Sequence, residues 1–332
     1  MSGRHEALLV LLADGVLHSG ADLAARLGVS RAAVWKLVRE LRARDVPVES
    51  VPRTGYRLPS PVELLDASRI ERVATACGWP LAGRLEVLFE TDSTNTHLYS
   101  LPTPPAGSPR VAFAELQRAG RGRRGRAWHA PFGSGLTFSV AWTFAETPPG
   151  LPALGLAIGV GVVEALRRLD LADARVKWPN DIVWRGRKLG GLLLQVRSEA
   201  GGPASVVAGL GLNVVLPAPT RVALAVPGAQ PVADLHEALA GRVPSRNELA
   251  GTLAAALLGA LDEFAHAGFA AFAARWARLD ALVGARVSVL QGAEEVEGEA
   301  CGADADGALL VRVGERLERY YSGDVSLRAA PP

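Results

Sequence analysis

Three things are scarce in this chain of 332 residues, and each scarcity excludes something. Cysteine occurs only at Cys77 and Cys301, far apart, so neither a disulfide framework nor a zinc site can be read from them, and a reducing cytoplasm fits. Long apolar runs are missing. The longest, Leu151 to Ala165, carries Pro152 and three glycines and runs into Arg167 and Arg168, too short to span a bilayer. The N-terminal apolar stretch Ala7 to Ala13 continues into a patterned helix rather than a cleavage site, so no signal peptide and no membrane partner are expected. Lysine is the rarest basic residue: of 36 Lys and Arg, only Lys36, Lys177 and Lys188 are lysine. Where arginine serves nearly everywhere else, a retained lysine points to a site that needs a compact, flexible ammonium instead of a planar fork.

What remains is an ordinary globular composition, 49% apolar and 21% charged, in a chain long enough for two or three domains with cores of their own. Net charge is only +2, but residues 1 to 59 hold nine basic against six acidic residues, and residues 281 to 332 hold five against nine. The two ends therefore meet different partners.

The densest chemistry lies between Glu115 and Trp142. Arg118, Arg121, Arg123, Arg124 and Arg126 are interleaved with Gly120, Gly122 and Gly125, a loop suited to holding an anion. The glycines match the dinucleotide fingerprint GxGxxG, but that fingerprint requires a helix to open at its end. Here Leu136, Phe138, Val140 and Trp142 alternate with polar or small residues, which is a strand, and the dinucleotide reading fails. Taken alone, the arginine cluster is equally compatible with a solvated surface or a nucleic-acid contact.

Before that stretch, residues 5 to 13 predict a first helix. Ser19 with Asp22 opens a second, stopped by Gly28, and Ser30 caps a third over 31 to 44. Val34, Leu37, Val38 and Leu41 face a core, while Arg31, Lys36 and Arg39 face outward. Strands around Pro52-Arg53-Thr54-Gly55 add a wing, which makes a winged helix-turn-helix; DNA binding is the favoured role, and a protein-contact module the alternative. Pro59-Ser60-Pro61 reads as a linker, followed by helices over 61 to 65 and 66 to 77 and a strand over 85 to 89. Thr91 to Asn95 either caps a helix or offers several donors and acceptors to a neutral polar ligand. Further on come a helix over 154 to 169, a strand broken by Pro179-Asn180-Asp181, and a strand over 206 to 213 whose Gly209 and Gly211 share one face and leave room for a ligand. Residues 217 to 231 read as a mobile loop. Helices over 246 to 264 and 269 to 278 precede short strands punctuated by Gly292, Gly298, Gly307, Gly314 and Gly323, a small barrel.

Five ordered motifs now stand on the chain: Ser93-Thr94-Asn95, Glu115-Leu116-Gln117 with the Gly120 to Arg126 run, Lys177 to Asp181, Arg187 to Gly191, and Gly209 to Asn213. In order and approximate spacing they resemble the biotin-protein ligases, and the N-terminal helices and C-terminal strands extend the resemblance over nearly the whole chain, toward the bifunctional ligase and biotin-operon repressor form. The resemblance implies an α/β (α+β) architecture in three domains: a winged helix-turn-helix (1–60), a mixed-sheet catalytic domain (61–280) and an SH3-like β-barrel (281–330). It implies biotin and ATP as substrates with Mg²⁺, a biotin carboxyl carrier protein and operator DNA as partners, and a homodimer when adenylate is bound.

Carried onto this sequence, the resemblance makes Lys188 the bridge between the biotin carboxylate and the α-phosphate, with Arg123 and Lys177 also catalytic and Lys177 facing the pyrophosphate. Ser93, Thr94, Asn95 and Gln117 would hold the ureido end. Gly120, Arg121, Gly191, Gly209 and Gly211 would line the biotin site, and Trp128 would cover it. Arg123, Arg126, Lys177, Asn180, Asp181 and Asn213 would hold ATP, with Asp181 the candidate metal ligand. Ser30, Arg31, Lys36, Arg39 and Arg53 would contact DNA. The chemistry suits these residue types: two unit charges ~4 Å apart repel by about 4 kcal/mol at an effective dielectric near 20, so joining a carboxylate to a phosphate requires supplied positive charge. Two departures stand out. Ala127 follows Arg126 where the family often has a basic residue. The 217 to 231 loop also lacks the adenine-side tryptophan of the repressor-type ligase, leaving Val222, Leu224 or Val226 as apolar substitutes. The rival readings are a ligand-sensing repressor whose ligase domain is inactive, and a lipoate ligase.

Overall fold

The structure is a computed structural model that describes residues 3–198, 203–226, 229–291, 294–321 and 323–327. The turn expected at Gly292 and residues 227 and 228 of the 217 to 231 loop lie outside these residues.

Helices α1 (Gly3–Leu12), α2 (Gly20–Leu27) and α3 (Arg31–Arg42) carry hairpin β1 (Glu49–Val51) and β2 (Gly55–Arg57). The caps are those the sequence predicts: Ser19 Oγ accepts from the Asp22 amide, Gly28 sits at the left-handed φ of 62°, and Ser30 Oγ accepts from the Ala33 amide. This module is not self-contained. Its core of Leu8, Leu12, Val34, Leu37 and Leu41 also takes in Leu116 and Phe132, which lie immediately before and after the arginine-glycine loop.

No helix forms over residues 61 to 65. The backbone there is claimed by partners distant in sequence: Val62 N donates to Ala13 O, Leu65 N to Glu115 Oε1, and Asp66 N to Asn247 Oδ1. A run of donors satisfied by tertiary partners has no need of the i−4 carbonyls. Around it closes a buried knot in which Arg246 Nη1 meets Glu115 Oε2 at 2.9 Å, and also donates to Glu63 O, while Nη2 reaches Gly135 O at 3.2 Å. The Arg246 and Glu115 side chains are 8% and 4% exposed, so removing either would strand a buried charge at a cost of about 3–5 kcal/mol.

Beyond α4 (Ala67–Ala76) lies a seven-stranded sheet built from β3 (Leu85–Thr91), β4 (Arg110–Gln117), β5 (Gly135–Phe144), β6 (Ala174–Lys177), β7 (Asp181–Trp184), β8 (Arg187–Ser198) and β9 (Ala204–Asn213). Its order is β3-β4-β5-β9-β8-β7-β6, with β3 and β4 parallel and every other pair antiparallel. Alternation sorts the side chains: Phe113, Phe138 and Val140 face the main core beneath α6 (Leu154–Arg168), whereas Ala112, Ala141 and Val207 face α5 (Thr94–Ser100).

The stretch expected to be a mobile loop after β9 contains α7 (Ala218–Leu224), held by ion pairs from Arg221 to Asp234 and to Glu237. Two arginines, Arg187 first and Arg221 second, keep the Glu237 carboxyl below the usual range. After α8 (Leu235–Ala238), helices α9 (Arg246–Ala267) and α10 (Ala270–Leu279) complete the layer over the core. The SH3-like C-terminal unit is an antiparallel sheet of β10 (Arg286–Gln291), β11 (Glu294–Ala303), β12 (Leu309–Val313), β13 (Arg316–Tyr320) and β14 (Asp324–Leu327), in the order β13-β12-β11-β10-β14. It packs onto the central domain, where Trp178 Nε1 donates to Gly307 O at 3.0 Å. Among the described residues no helix is long and apolar enough to cross a membrane, and both cysteines are free.

Candidate active site

A cavity of about 980 Å³ opens on the α5 face of the sheet. Every residue expected to bind biotin or ATP lines it except Gly120. Gly120 stands behind the wall: a Cβ there would fall 2.5 Å from the Trp128 carbonyl oxygen, so glycine is what lets the loop close upon itself. The closure is regular. Gly122 N donates to Arg126 O at 2.7 Å, Trp128 N donates to Gly120 O at 2.8 Å, and Arg121 pairs with Ala127 as a short antiparallel bridge. The arginine-glycine stretch is thus a compact hairpin around one 3₁₀ turn, Arg123–Gly125.

At one end of the cavity the polar side chains are already knitted together. Thr94 N donates to Gln117 Oε1 at 2.8 Å, Thr94 Oγ1 meets Ser139 Oγ at 2.7 Å, and Ser139 Oγ donates to Asn95 Oδ1 at 2.6 Å. The Asn95 amide reaches on to Leu193 O and Gln195 Oε1. Ser93 occupies the N-cap of α5 but makes no cap hydrogen bond with its hydroxyl. The room expected beside Gly209 and Gly211 is taken largely by the site's own side chains. A Cβ at Gly209 would meet Asn95 Oδ1 at 2.0 Å, and one at Gly211 would meet the Trp128 ring at 2.4 Å. Trp128 packs against Gly211 of β9, with its indole NH buried and unpartnered among the described residues.

The other end collects charge. Pairing of β7 with β8 slips by one residue at Leu189, a bulge that breaks strict alternation. Its consequence is to put the Lys188 ammonium beside Gly191, where Asp181 Oδ1 accepts from Nζ at 2.7 Å, with the Trp128 ring centre 6.0 Å away. Lys177 Nζ donates to Gln230 Oε1 at 2.9 Å, and Arg123 Nη1 approaches Asn180 Oδ1 at 3.4 Å. The asparagines expected to serve as ligand donors are largely stitches: the Asn180 amide donates to Leu192 O, and that of Asn213 to Ala233 O and Lys188 O. Arg126, Gly191 and Asn213 share the same cavity.

Of the apolar substitutes named for the missing tryptophan, Leu224 and Val226 line the cavity, whereas Val222 points away at 76% exposed. Several lining residues carry no motif and were not expected. Gln230 follows an irregular loop, while Ser288, Glu295 and Val325 arrive from the C-terminal sheet more than a hundred residues after Lys177. No local spacing signals them. The DNA set lies elsewhere: Arg31, Lys36 and Arg39 are exposed on α3, Ser30 is spent as its cap, and Arg53 sits at φ 64° on the tip of the wing.

Residues 88–213 match the Biotin/lipoate A/B protein ligase family, residues 4–57 match an HTH domain and residues 283–328 match the Biotin protein ligase C terminal domain. The bifunctional ligase/repressor BirA of Salmonella typhimurium is 39% identical over 97% of both chains, and that of Escherichia coli 38% over the same share. Among solved structures, the biotin protein ligase from Aquifex aeolicus in complex with biotin and ATP superposes with a TM-score of 0.60 at 26% identity, covering 74% of this chain and 99% of that one. With identity sustained across the winged helix, the ligase core and the C-terminal sheet together, the chain belongs to the family of bifunctional biotin ligase/repressors.

Proposed function

We propose that this protein is an ATP-dependent biotin-protein ligase that also represses transcription in response to biotin. One observation carries the ligase reading: two of the chain's three lysines and three arginines of the glycine-rich hairpin border a single cavity whose opposite end is a neutral hydrogen-bonding cluster. That polarity suits a ligand with an uncharged urea-like ring at one end and a carboxylate at the other. The solved relative that holds biotin and ATP supports the same substrates here.

In the first half-reaction the biotin carboxylate oxygen attacks the α-phosphorus of ATP, forming the acyl-phosphate bond and releasing pyrophosphate. Lys188 supplies charge between the two reacting anions, and Asp181 holds its ammonium in place. Arg123 and Arg126 fork onto phosphate oxygens, and Lys177 faces the departing pyrophosphate. Thr94, Gln117 and Asn95 hold the ring end, while Trp128 covers the mixed anhydride and excludes water. In the second half-reaction the acceptor lysine's neutral amine attacks the acyl carbon and AMP leaves.

Magnesium fits only as a passenger of the nucleotide. No group of three His, Cys, Asp or Glu placed to hold a metal ion exists among the described residues, and Asp181 already binds Lys188, so phosphates would supply most of the ion's ligands. The carboxyl carrier protein as acceptor, a homodimer in the adenylate-bound state, a cytoplasmic location and the division at residues 60 and 280 belong to the same reading.

The test is transfer of labelled biotin, with ATP, to a biotin carboxyl carrier domain. Label on the acceptor lysine supports the ligase. Its absence, together with retained biotin-dependent DNA binding, would leave a sensor with a silent ligase domain, and preferential transfer of lipoate would make the protein a lipoate ligase.

A further inference from the structure

The core side of α3 is filled by Val34, Leu37, Val38 and Leu41, all buried, and Trp35 takes no part in it. Trp35 is 54% exposed, an unusual position for the largest apolar side chain on a short surface helix. Arg39 is a close companion. The Arg39 guanidinium carbon lies 4.8 Å from the indole ring centre, one helical turn on, where a stacked cation–π pair forms.

Two other long polar side chains of the helix, Arg42 and Lys36, have partners within the module, while Arg31 at its start is exposed. Arg42 spends its donors on the wing, with Nε to Val48 O at 2.6 Å and Nη2 to Ser50 Oγ at 3.0 Å. Lys36 leans toward Glu40 at 4.0 Å, and Ser30 is the helix cap. Ala32, one turn before Trp35, contributes only a methyl group to the exposed side, so the helix can approach a surface closely there. The surrounding module, residues 1 to 59, carries the excess of basic residues that a polyanion would attract.

We propose that Trp35 and Arg39 are a preassembled base-reading pair in the major groove of duplex DNA. The indole packs on the 5-methyl group of a thymine, and the planar guanidinium, held in place against the ring, forks onto O6 and N7 of a guanine. Four residues of helix advance ~6 Å, which separates the two bases by about two steps of the duplex. Stacking restricts the Arg39 rotamers before contact, so less side-chain freedom is lost on binding. The inference rests on the repressor reading and adds to it the residues that select sequence.

The experiment selects sites from a random duplex pool with the full-length protein, biotin and ATP, using wild type, W35A and R39A. The selected site is then titrated with thymine or with deoxyuridine, which lacks the methyl group, at the position that W35A affects. The expected result is that W35A flattens one thymine position, R39A flattens a guanine about two steps away, and deoxyuridine weakens wild type about four-fold, as one buried methyl is worth, while leaving W35A unchanged. Biotin transfer by W35A should equal wild type, which shows that the chain is folded. Identical selected sites for W35A and wild type, or an equal penalty from deoxyuridine in both, overturns the pair. A wild type that enriches no sequence at all overturns the repressor reading itself, and is recognisably a different result.

Discussion

Arg44, two residues past the end of α3, places its Nε 3.2 Å from Oε1 of Glu90, a β3 residue whose side chain is 8% exposed. The same oxygen lies 3.6 Å from Nε of Arg118, at the root of the arginine-glycine hairpin, and Arg118 continues to Asp92 at 2.9 Å. One nearly buried carboxylate therefore bridges the DNA-reading module and the cover of the ligand cavity. Glu90→Gln keeps the shape and removes the charge. The ratio of DNA affinities with and without biotin plus ATP is expected to fall about five-fold in E90Q, within the usual range of coupling energies, while the rate of biotin transfer stays near wild type. An unchanged ratio would show that the bridge carries only packing.

Lys188→Ala is expected to lower adenylate formation by about 10²–10³-fold, the range found when one charge-stabilising donor is removed from a transition state. The ammonium's hydrogen-bond partner is Asp181, at the cavity edge rather than in the apolar core, so thermal unfolding should change little. Pyrophosphate release from biotin and ATP measures the effect; release at the wild-type rate would remove Lys188 from the chemistry.

Gly211→Ala tests the cover. Its Cβ would stand 2.4 Å from Trp128 Cε2, so the indole has to swing off β9 and take residues 120 to 128 with it. Misplacing a ligand wall by about 1 Å can cost two orders of magnitude, and the KM for biotin is expected to rise at least ten-fold, with a smaller effect on the KM for the acceptor protein. Equal changes in both constants would argue for general damage instead of a displaced cover.

Asp280 sets a pH dependence. It is 2% exposed, Oδ1 accepts from the Leu282 amide at 2.8 Å, and Oδ2 has no partner among the described residues. Burial pushes its carboxyl up to about 6, against a partial downward pull from the Leu282 amide and the charge of Arg175. The folded chain therefore holds this proton more tightly than the unfolded one. Its contribution to stability is present below the unfolded value of 3.8 and is lost as pH rises through about 6. Asp280→Asn should gain stability relative to wild type between pH 4.5 and 7.5, by up to ~3 kcal/mol, and the difference should then level off. Denaturant melts across that range measure it, and a difference independent of pH would contradict the assignment.

The fold was legible where the signals are local. Ser19, Gly28 and Ser30 bound their helices because capping needs only neighbouring atoms, and alternation revealed the strand from Leu136 to Trp142. The five motifs marked the cavity because their residue types are restricted by charge or by close backbone approach. The misreadings have long-range causes. Residues 61 to 65 look helical until Glu115 and Asn247 take their amides, and α7 is hidden in a proline-rich stretch until Arg221 finds Asp234 and Glu237. The bulge at Leu189 is equally invisible, since strand register depends on the partner strand. Likewise, no pattern around Ser288 or Glu295 says which domain's cavity they border.

The Arg246–Glu115 knot and the seating of Leu116 and Phe132 in the winged-helix core make residues 61 to 66 a weld instead of a tether. A tethered reader could search for its two half-sites over a range of separations. A welded one cannot. Any pairing of two copies through their ligase domains would work as a ruler, with the distance between recognition helices, and hence the operator spacing accepted, set by the geometry of an enzyme surface well away from the DNA.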